Sequence, residues 1–456
     1  MTVWGNTSAA AMRRAILAIA LPAILTNVAT ALFGMADTWV IGRLGDPVAQ
    51  GAVEVGAKFL MALLIVFNFL RSGTVGLTAQ AAGRGDQDAQ AATLVRGLAV
   101  ALLVGMLLLL LRPLAMDAGL RMFGAAGPLA TQARTYVDIR YWGGVAWLLN
   151  AVQVGWLIGL RRMRAVLAVE AGANIVHVIL DVTLVLGLGL GVAGVAAATL
   201  ASETAKLAAL ALIVARQAPA RRALRLVLER ATWRAAELGR LFALNRDLFI
   251  RTLLLMSVTV LVTRAGAQQG AIVLAANAIL FQLFMLGTLI LDGFESAAQV
   301  LSGEAVGSGD RAGLNRQTRH ILGWAGCCAA LIALVYLVGG ARLAASFSTD
   351  PSVIAATGAY IGWAVALPLV GVVSFVFDGV FIGAGWTRAM LLSMALALAV
   401  FACVLVAARP LGNNGLWLAF TLFFVARGAG QAWLAPGLAR RSFAQSAMGG
   451  ADPRPV

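Results

Sequence analysis

The tetrapeptide GRGD at residues 83–86 and the tetrapeptide GSGD at residues 307–310 lie 224 residues apart, and each follows a long apolar run. Other residues match at the same offset. These pairs are Gly42 with Gly266, Tyr136 with Tyr360, Gly155 with Gly379, Gly159 with Gly383, Arg164 with Arg388, and Gly191 with Gly415. A constant offset over this length indicates that the chain contains two copies of one unit.

The composition is typical of a protein embedded in a membrane. Of the 456 residues, 61% are hydrophobic and only 12% are charged, whereas a soluble domain has roughly 25% charged residues. The mean hydropathy is +0.88. The net charge of +15 does not indicate nucleic-acid binding, because the arginines lie mainly between apolar runs, where positive charge sets membrane orientation.

Twelve apolar runs are long enough to cross a bilayer as helices of roughly 20 residues. Helices are expected because lipid cannot hydrogen-bond the backbone, and the runs lack the alternation of a transmembrane barrel. The runs cover residues 15–42, 53–82, 93–112, 133–160, 165–187, 192–215, 242–270, 272–305, 318–340, 353–384, 389–408 and 413–437.

Arginine is concentrated on one set of loops. The loop between the sixth and seventh runs alone carries seven arginines, at residues 216–240. Because basic residues remain on the cytoplasmic side, this bias predicts that both termini are cytoplasmic. We therefore expect a multi-pass protein of the cell inner membrane.

The number of helices per copy determines the architecture. Six is an even number, so both copies have the same orientation in the membrane. We expect an all-α membrane protein of twelve transmembrane helices in two six-helix bundles, related by a pseudo-two-fold axis along the membrane normal. The predicted parts are an N-terminal lobe at 1–215, a cytoplasmic linker at 216–240, a C-terminal lobe at 241–440 and a cytoplasmic tail at 441–456. For the linker, an amphipathic surface helix and a solvated connection are both open.

Two carboxylates at membrane depth occur in the first copy only. Asp37 matches Leu261, and Asp181 matches Leu405. Ionisable groups at such positions are costly and usually functional. The predicted orientation of their helices places the two carboxylates at a similar depth. His177 and Asn174 share a helix face with Asp181, and Thr199 lies near the same level on the next helix, so these residues form a candidate cation or proton site.

Such a carboxylate pair can exchange a proton or bind a small cation. The alternative is that both residues are static hydrogen-bonding contacts between helices. Pro22 interrupts the first predicted helix, whereas its counterpart is Arg246. A proline removes a backbone hydrogen bond and permits a bend, so Pro22 is a candidate hinge, with a static kink as the alternative.

The second copy has acidic residues of its own. Asp292 and Glu295 replace Asn68 and Arg71 of the first copy, and Asp378 replaces Val154. These acids favour a cavity that attracts cations, although ion pairing of Asp292 and Glu295 with Arg251 or Arg264 is an alternative. The residues proposed to line the substrate cavity are Asn150, Gln153, Asp292, Glu295 and Asp378.

Several stretches resemble the multidrug and toxic compound extrusion (MATE) family, most closely its DinF-like branch. They are LPAILTNVATALFGMADTWVIGRLG (21–45), the GRGD turn, NIVHVILDVTLVLGLGLGVAGVAAAT (174–199), NRDLFIRTLLL (245–255), LDGFESAAQVLSGEAVGSGD (291–310) and FVFDGVFIGAG (375–385). The resemblance covers nearly the whole chain and implies a V-shaped antiporter with two six-helix bundles.

The resemblance also implies roles for individual residues. Asp37 and Asp181 match the coupling aspartates of the family, Pro22 matches the proline at which helix 1 bends on protonation, and Thr199 matches a helix-6 threonine. His177 departs from the pattern, which has an asparagine at this position, so the choice between proton and sodium coupling is open.

The predicted function is efflux of drugs or other toxic organic compounds in exchange for protons, and lipophilic cations are the expected cargo. We expect a monomer in the lipid bilayer that transports a small-molecule substrate. We expect no cofactor or bound metal, and the driving force is a proton or sodium gradient. A flippase or exporter of lipid-linked or organic-acid cargo with the same fold is the alternative. An intramembrane enzyme is remote, because His177 and His320 are the two histidines and the sequence has no catalytic motif.

Overall fold

The computed structural model describes residues 8–447, and this part of the chain is helical, without a β-strand. The helices up to residue 234 are α1 (Ala9–Gly42), α2 (Pro47–Ile65), α3 (Phe69–Gly83), α4 (Gln87–Leu110), α5 (Arg112–Met122), α6 (Gly127–Tyr141), α7 (Gly143–Gly159), α8 (Met163–Asp181), α9 (Gly191–Ala215) and α10 (Ala220–Leu228). The later helices are α11 (Ala235–Ala267), α12 (Ala271–Gly307), α13 (Arg311–Phe347), α14 (Pro351–Ala384), α15 (Thr387–Ala407) and α16 (Asn413–Ala447).

Eleven helical segments of the described chain are long and apolar enough to cross a membrane. The twelfth segment consists of α6 and α7, which are separated at Trp142 although this residue keeps helical backbone angles (φ −61°, ψ −29°). Each predicted span falls on one of these helices, and α5 is a short addition that the apolar pattern did not predict. The predicted all-α membrane fold with twelve helices in two bundles is confirmed.

The repeat is visible in the helix ends. Both α3 and α12 end at the glycine that opens a repeated tetrapeptide, followed by Gly85 (φ 68°) and Gly309 (φ 73°) in the left-handed region. Asp86 then accepts a hydrogen bond from the amide of Ala89 at 2.9 Å, and Asp310 accepts one from Gly313 at 2.8 Å. The motif is repeated because the chain twice requires a glycine turn followed by a capped helix start.

Repeated glycines also allow two helices to pack closely in each copy. A side chain at Gly155 of α7 would collide with the carbonyl of Arg71 on α3. A side chain at Gly379 of α14 would collide with the carbonyl of Glu295 on α12. Since Arg71 and Glu295 are themselves repeat counterparts, both copies use the same backbone contact, which small residues permit in membrane helices.

The two copies differ in helix continuity. In the first copy, a 3₁₀ turn at Val66–Asn68 separates α2 from α3, and a π-helical segment at Val182–Gly187 follows α8. In the second copy, the stretch that matches the 3₁₀ turn is continuous in α12, whereas the stretch that matches the π segment covers the end of α15 and a 3₁₀ turn at Arg409–Leu411. Because π segments within helices frequently mark functional sites, the residues that precede Val182 are candidates for a functional site.

Packing contacts divide the chain into two compact units. One unit covers residues 25–241, and the other consists of the part up to Ile24 together with residues 242 onward. The helix α1 therefore contributes to both units, whereas the sequence analysis assigned residues 1–215 to one lobe. The predicted boundaries at 215 and 241, and the tail at 441–456, stay a prediction; residues beyond 447 lie outside the described part.

The predicted linker contains a helix. In α10, Leu226 is buried with Ala91 and Ala92, while Leu224 and Leu228 are 82% and 85% exposed. Arg222 forms an ion pair with Asp88 at 2.8 Å. A helix with one buried side therefore occupies part of this segment, and the choice between a membrane-surface helix and a solvated connection stays a prediction.

Candidate functional site

Asp37, His177 and Asp181, which we call the buried triad, meet within the unit formed by residues 25–241. The Nε2 atom of His177 lies 2.7 Å from Asp37 Oδ1 and 3.1 Å from Asp181 Oδ2. The three residues are 4%, 0% and 0% exposed, respectively. The sequence analysis predicted this association, and the imidazole lies between the two carboxylates that it was expected to accompany.

Local structure positions each member of the triad. Asp37 is on α1, while His177 and Asp181 are one turn apart on α8, so their side chains point in the same direction. The π-helical segment begins directly after Asp181, and the amide of Leu188 donates to the carbonyl of Thr183 at 2.9 Å. A wider helical turn therefore begins directly after the carboxylate of Asp181.

Asn174 and Thr199 lie close to the predicted positions but bind other groups. The amide nitrogen of Asn174 donates to the carbonyl of Ala29 on α1 at 2.7 Å, which fixes α8 against α1 below the triad. The hydroxyl of Thr199 donates to Val195 of its own helix at 3.1 Å. Asn174 therefore supports the helix contact that brings Asp37 to His177, whereas the described bond of Thr199 is internal to α9.

Pro22 lies within α1, which remains a single helix over Ala9–Gly42. Without an amide hydrogen, Pro22 cannot bond the carbonyl of Ala18 one turn earlier. The division between the two units falls at Ile24 and Leu25, two residues after the proline. The weakest point of the α1 hydrogen-bond ladder thus coincides with the point where the helix passes from one unit to the other.

The charge of the buried triad limits its proton content. Two ionised carboxylates with a neutral imidazole would place two negative charges at membrane depth, which costs several kcal/mol. One additional proton on the imidazole leaves a net charge of −1, and a further proton makes the group neutral. The ligand atoms of the three groups lie within 4.8 Å of one another, a spacing that also fits a small cation.

A second charged network surrounds Asp378 in the other unit. This carboxylate is fully buried and accepts hydrogen bonds from Arg251 on α11 and from Arg427 and Gln431 on α16. The guanidinium of Arg427 also lies 5.8 Å and 5.7 Å from the ring centres of Phe375 and Phe424. Asp378 is therefore held by two fixed cations, an arrangement that the sequence analysis did not predict.

The sequence prediction lacks Arg427 and Gln431 because it rests on the acids of the second copy and not on its basic residues. The signal was available: Arg427 matches Glu203 at the 224-residue offset, a reversal of charge within an apolar run. A reversal of charge between the copies marks a residue as a functional candidate, and this holds for Arg427 as it does for Glu295.

Asp292 and Glu295 lie half-buried on α12. Both carboxylates act electrostatically on Arg251 and Arg427. Arg251, one of the two predicted ion-pair partners, is thus part of this network, while Arg264 is exposed. Within this network, Asp292, Glu295 and Asp378 offset the charges of Arg251 and Arg427.

The remaining predicted cavity residues lie in the unit of residues 25–241. Asn150 and Gln153 on α7 are 2% and 4% exposed. Asn150 donates to the side chain of Glu203 at 2.9 Å and to its backbone carbonyl at 3.1 Å. The role of both residues in a substrate cavity stays a prediction.

Comparisons with known proteins agree with the repeat. The sequence profile of the MatE family matches residues 22–183 and again residues 248–407. DNA damage-inducible protein F of Escherichia coli (strain K12) is 39% identical over 415 residues, which cover 91% of this chain and 90% of that protein. A probable multidrug resistance protein NorM of Rhizobium meliloti (strain 1021) is 27% identical over 427 residues, covering 90% of each chain. A MATE crystal structure in the bent conformation has a TM-score of 0.85 at 19% identity and covers 95% of this chain and 97% of that one.

Proposed function

The chain belongs to the MatE family of transporters, and from that premise we propose that it is a secondary active efflux antiporter that exchanges toxic organic compounds for protons. As a member of this family it is a multi-pass membrane transporter and not an enzyme. Relatives named as multidrug resistance proteins support efflux of drug-like molecules. Proton coupling, the cargo, and an inner-membrane location with both termini cytoplasmic are parts of the proposal.

The observation that carries the proposal is the position of His177. Its Nε2 atom lies between Asp37 and Asp181, within 2.7 Å and 3.1 Å of their oxygen atoms. This is the place where a bound cation would contact both carboxylates. Because an imidazole can itself bind and release a proton, a proton is the ion that this arrangement suits best, and sodium is the alternative coupling ion.

In the proposed cycle, protons from outside the cell bind the buried triad and neutralise it. A neutral triad no longer holds α1 against α8 through charge-assisted hydrogen bonds, which are roughly twice as strong as neutral ones. The bend of α1 is then expected at Pro22, where the backbone lacks a hydrogen bond. The change in α1 alters the space available to cargo in the first lobe, and loss of the protons to the cytoplasm restores the starting state.

The cargo is proposed to be a lipophilic cation. The carboxylates of Asp292, Glu295 and Asp378 favour a cationic cargo. Arg251 and Arg427 offset much of their negative charge. Apolar cavities with a few polar groups bind drug-sized molecules. The substrate is a small molecule, the protein works as a monomer in the bilayer, and no bound cofactor or metal is required.

Export of ethidium from proteoliposomes tests the proposal. Purified full-length protein would be reconstituted and exposed in turn to a proton gradient and to a sodium gradient of equal size. We expect transport under the proton gradient alone. Transport under the sodium gradient alone would contradict proton coupling, and failure with ethidium together with transport of an organic acid would contradict the proposed cargo.

A further inference from the structure

A second buried group of charges lies in the first unit, apart from the triad. The Nζ atom of Lys206 on α9 lies 2.8 Å from Glu170 on α8 and 4.0 Å from Glu203 on its own helix. The three side chains, which we call the inner cluster, are 11–17% exposed. Three ionisable side chains inside apolar helices are costly and indicate a function.

The inner cluster and the triad lie on one polar face of α8. Glu170, Asn174, His177 and Asp181 follow one another at intervals of four, three and four residues, which keeps them on the same side of the helix. At 1.5 Å per residue, Glu170 lies about 16 Å from Asp181 along the helix axis and about 10 Å from the start of α8. Glu170 is thus located between the triad and the Arg-rich end of the bundle.

Other helices complete the surroundings of the inner cluster. Asn150 of α7 donates to Glu203 at 2.9 Å, but its own amide oxygen is buried without a hydrogen-bond partner. Arg71 of α3 acts electrostatically on Lys206, and Arg140 of α6 on Glu203. Buried amide oxygens normally accept a hydrogen bond. The amide oxygen of Asn150 can therefore accept one from a donor such as water.

The second copy shows that the fold does not need these charges. At the 224-residue offset, the inner cluster is replaced by an apolar residue, a glycine and a residue of opposite charge. The pairs are Glu170 with Met394, Lys206 with Gly430, and Glu203 with Arg427. A role in the asymmetric part of the mechanism explains the inner cluster better than a role in packing.

We propose that the inner cluster is a proton relay between the buried triad and the Arg-rich, cytoplasmic end of the first lobe, with Glu170 as the proton-carrying group. The proposal rests on the proton coupling proposed above. When the triad releases a proton, an N–H or O–H bond breaks there and an O–H bond forms on Glu170. Asn174 and intervening water connect the two places.

Charge compensation by Lys206 makes this transfer reversible. Protonation of Glu170 removes the partner of the ammonium group, and Lys206 keeps its charge and moves toward Glu203, which lies 4.0 Å away. The proton then leaves Glu170 for water at the cytoplasmic end. Lys206 returns to the regenerated carboxylate, so the cluster ends in its starting state.

The test uses full-length protein in proteoliposomes that contain a pH-sensitive dye, with ethidium as cargo. For Glu170→Gln we expect proton uptake and ethidium export to slow by about a hundredfold or more, with unchanged ethidium binding. Glu170→Asp should keep part of the rate, and azide should restore transport in Glu170→Gln because it carries protons. Glu54→Gln is the matched control, since Glu54 forms an exposed ion pair with Lys58 at 2.8 Å.

Wild-type rates in Glu170→Gln across the pH range would overturn the relay. A slow variant that azide does not restore, and whose ethidium binding falls in parallel, would also overturn it, because that pattern marks a structural role.

Infrared difference spectra after a pH jump give a readout without cargo. Wild type and Glu54→Gln should show the carbonyl band of a protonated carboxyl that Glu170→Gln lacks and Glu170→Asp shifts. If wild type does not export ethidium but shows this band, the proposed function fails while the relay stands. If wild type exports ethidium and the band is the same in all variants, the relay is wrong. If Glu170→Gln does not fold, the presence or absence of the shift in Glu170→Asp decides.

Discussion

Replacement of Asp378 by asparagine removes a carboxylate that both Arg251 and Arg427 bind directly. The Asp378 side chain is fully buried, and those of Arg251 and Arg427 are 16% and 3% exposed. Asparagine has nearly the same shape as aspartate, but its side chain is uncharged. It presents either an amide N–H donor or a neutral oxygen to the two guanidinium groups. Asp292 and Glu295 remain as counter-charges to the two arginines.

Loss of one partner from a buried ion pair costs about 3–5 kcal/mol. This corresponds to a hundredfold to a few thousandfold decrease in the folding equilibrium constant at roughly 1.4 kcal/mol per factor of ten. For large domains, about 1 kcal/mol lowers the melting temperature by roughly 2–4 °C. We therefore expect Asp378→Asn to melt about 6–20 °C below wild type.

Thermal unfolding in detergent, followed by the fluorescence of the 11 tryptophans, measures this effect. The control is Asp117→Asn, which breaks an exposed ion pair with Arg134 and is expected to cost less than about 1 kcal/mol. The double variant Asp378→Asn/Arg427→Gln should recover much of the loss, because it removes one unpaired cation. Equal melting temperatures for Asp378→Asn and Asp117→Asn would refute the reasoning.

Three further outcomes are expected. Asp37→Asn should abolish ethidium export driven by a pH gradient in protein that still folds and inserts, and wild-type export would contradict a coupling role. His177→Asn should retain transport but change its pH profile, measured by export at a series of pH values; an unchanged profile would make His177 structural. Gly383→Leu should lower the melting temperature by the equivalent of at least about 1–3 kcal/mol, because its side chain would overlap the Gln299 carbonyl. On the same helix, Gly358→Ala meets open space and should melt like wild type or higher, and equal melting of both variants would contradict close packing at Gly383.

The repeat could be predicted because its conserved features answer requirements of the backbone. A left-handed turn needs glycine and a helix start needs a cap, so Gly85 and Asp86 reappear as Gly309 and Asp310. Hydropathy gave the spans for a similar reason, since lipid demands long apolar helices. These requirements are local, so they can be recognised in the sequence even when the packing of neighbouring helices is unknown.

The triad could be predicted because the second copy served as a comparison. Asp37 and Asp181 stand where the other copy has leucine, and the helical period places His177 beside Asp181. The partners of Asp378 depend instead on the side-by-side arrangement of α11, α14 and α16. The π-helical turn after Asp181 depends on hydrogen-bond register, which apolar periodicity does not encode.

The two copies therefore bury negative charge by different chemistry. In the second copy Asp378 is neutralised by guanidinium groups, which stay charged at all physiological pH values, so this network is expected to be constant through a transport cycle. In the first copy the group between the carboxylates is His177, whose charge depends on pH. This difference between the copies supports the proposal that the proton-coupled site lies in the first lobe. The inner cluster occurs in that same lobe and is absent from the matching positions of the other, as expected for a path that serves the titratable site.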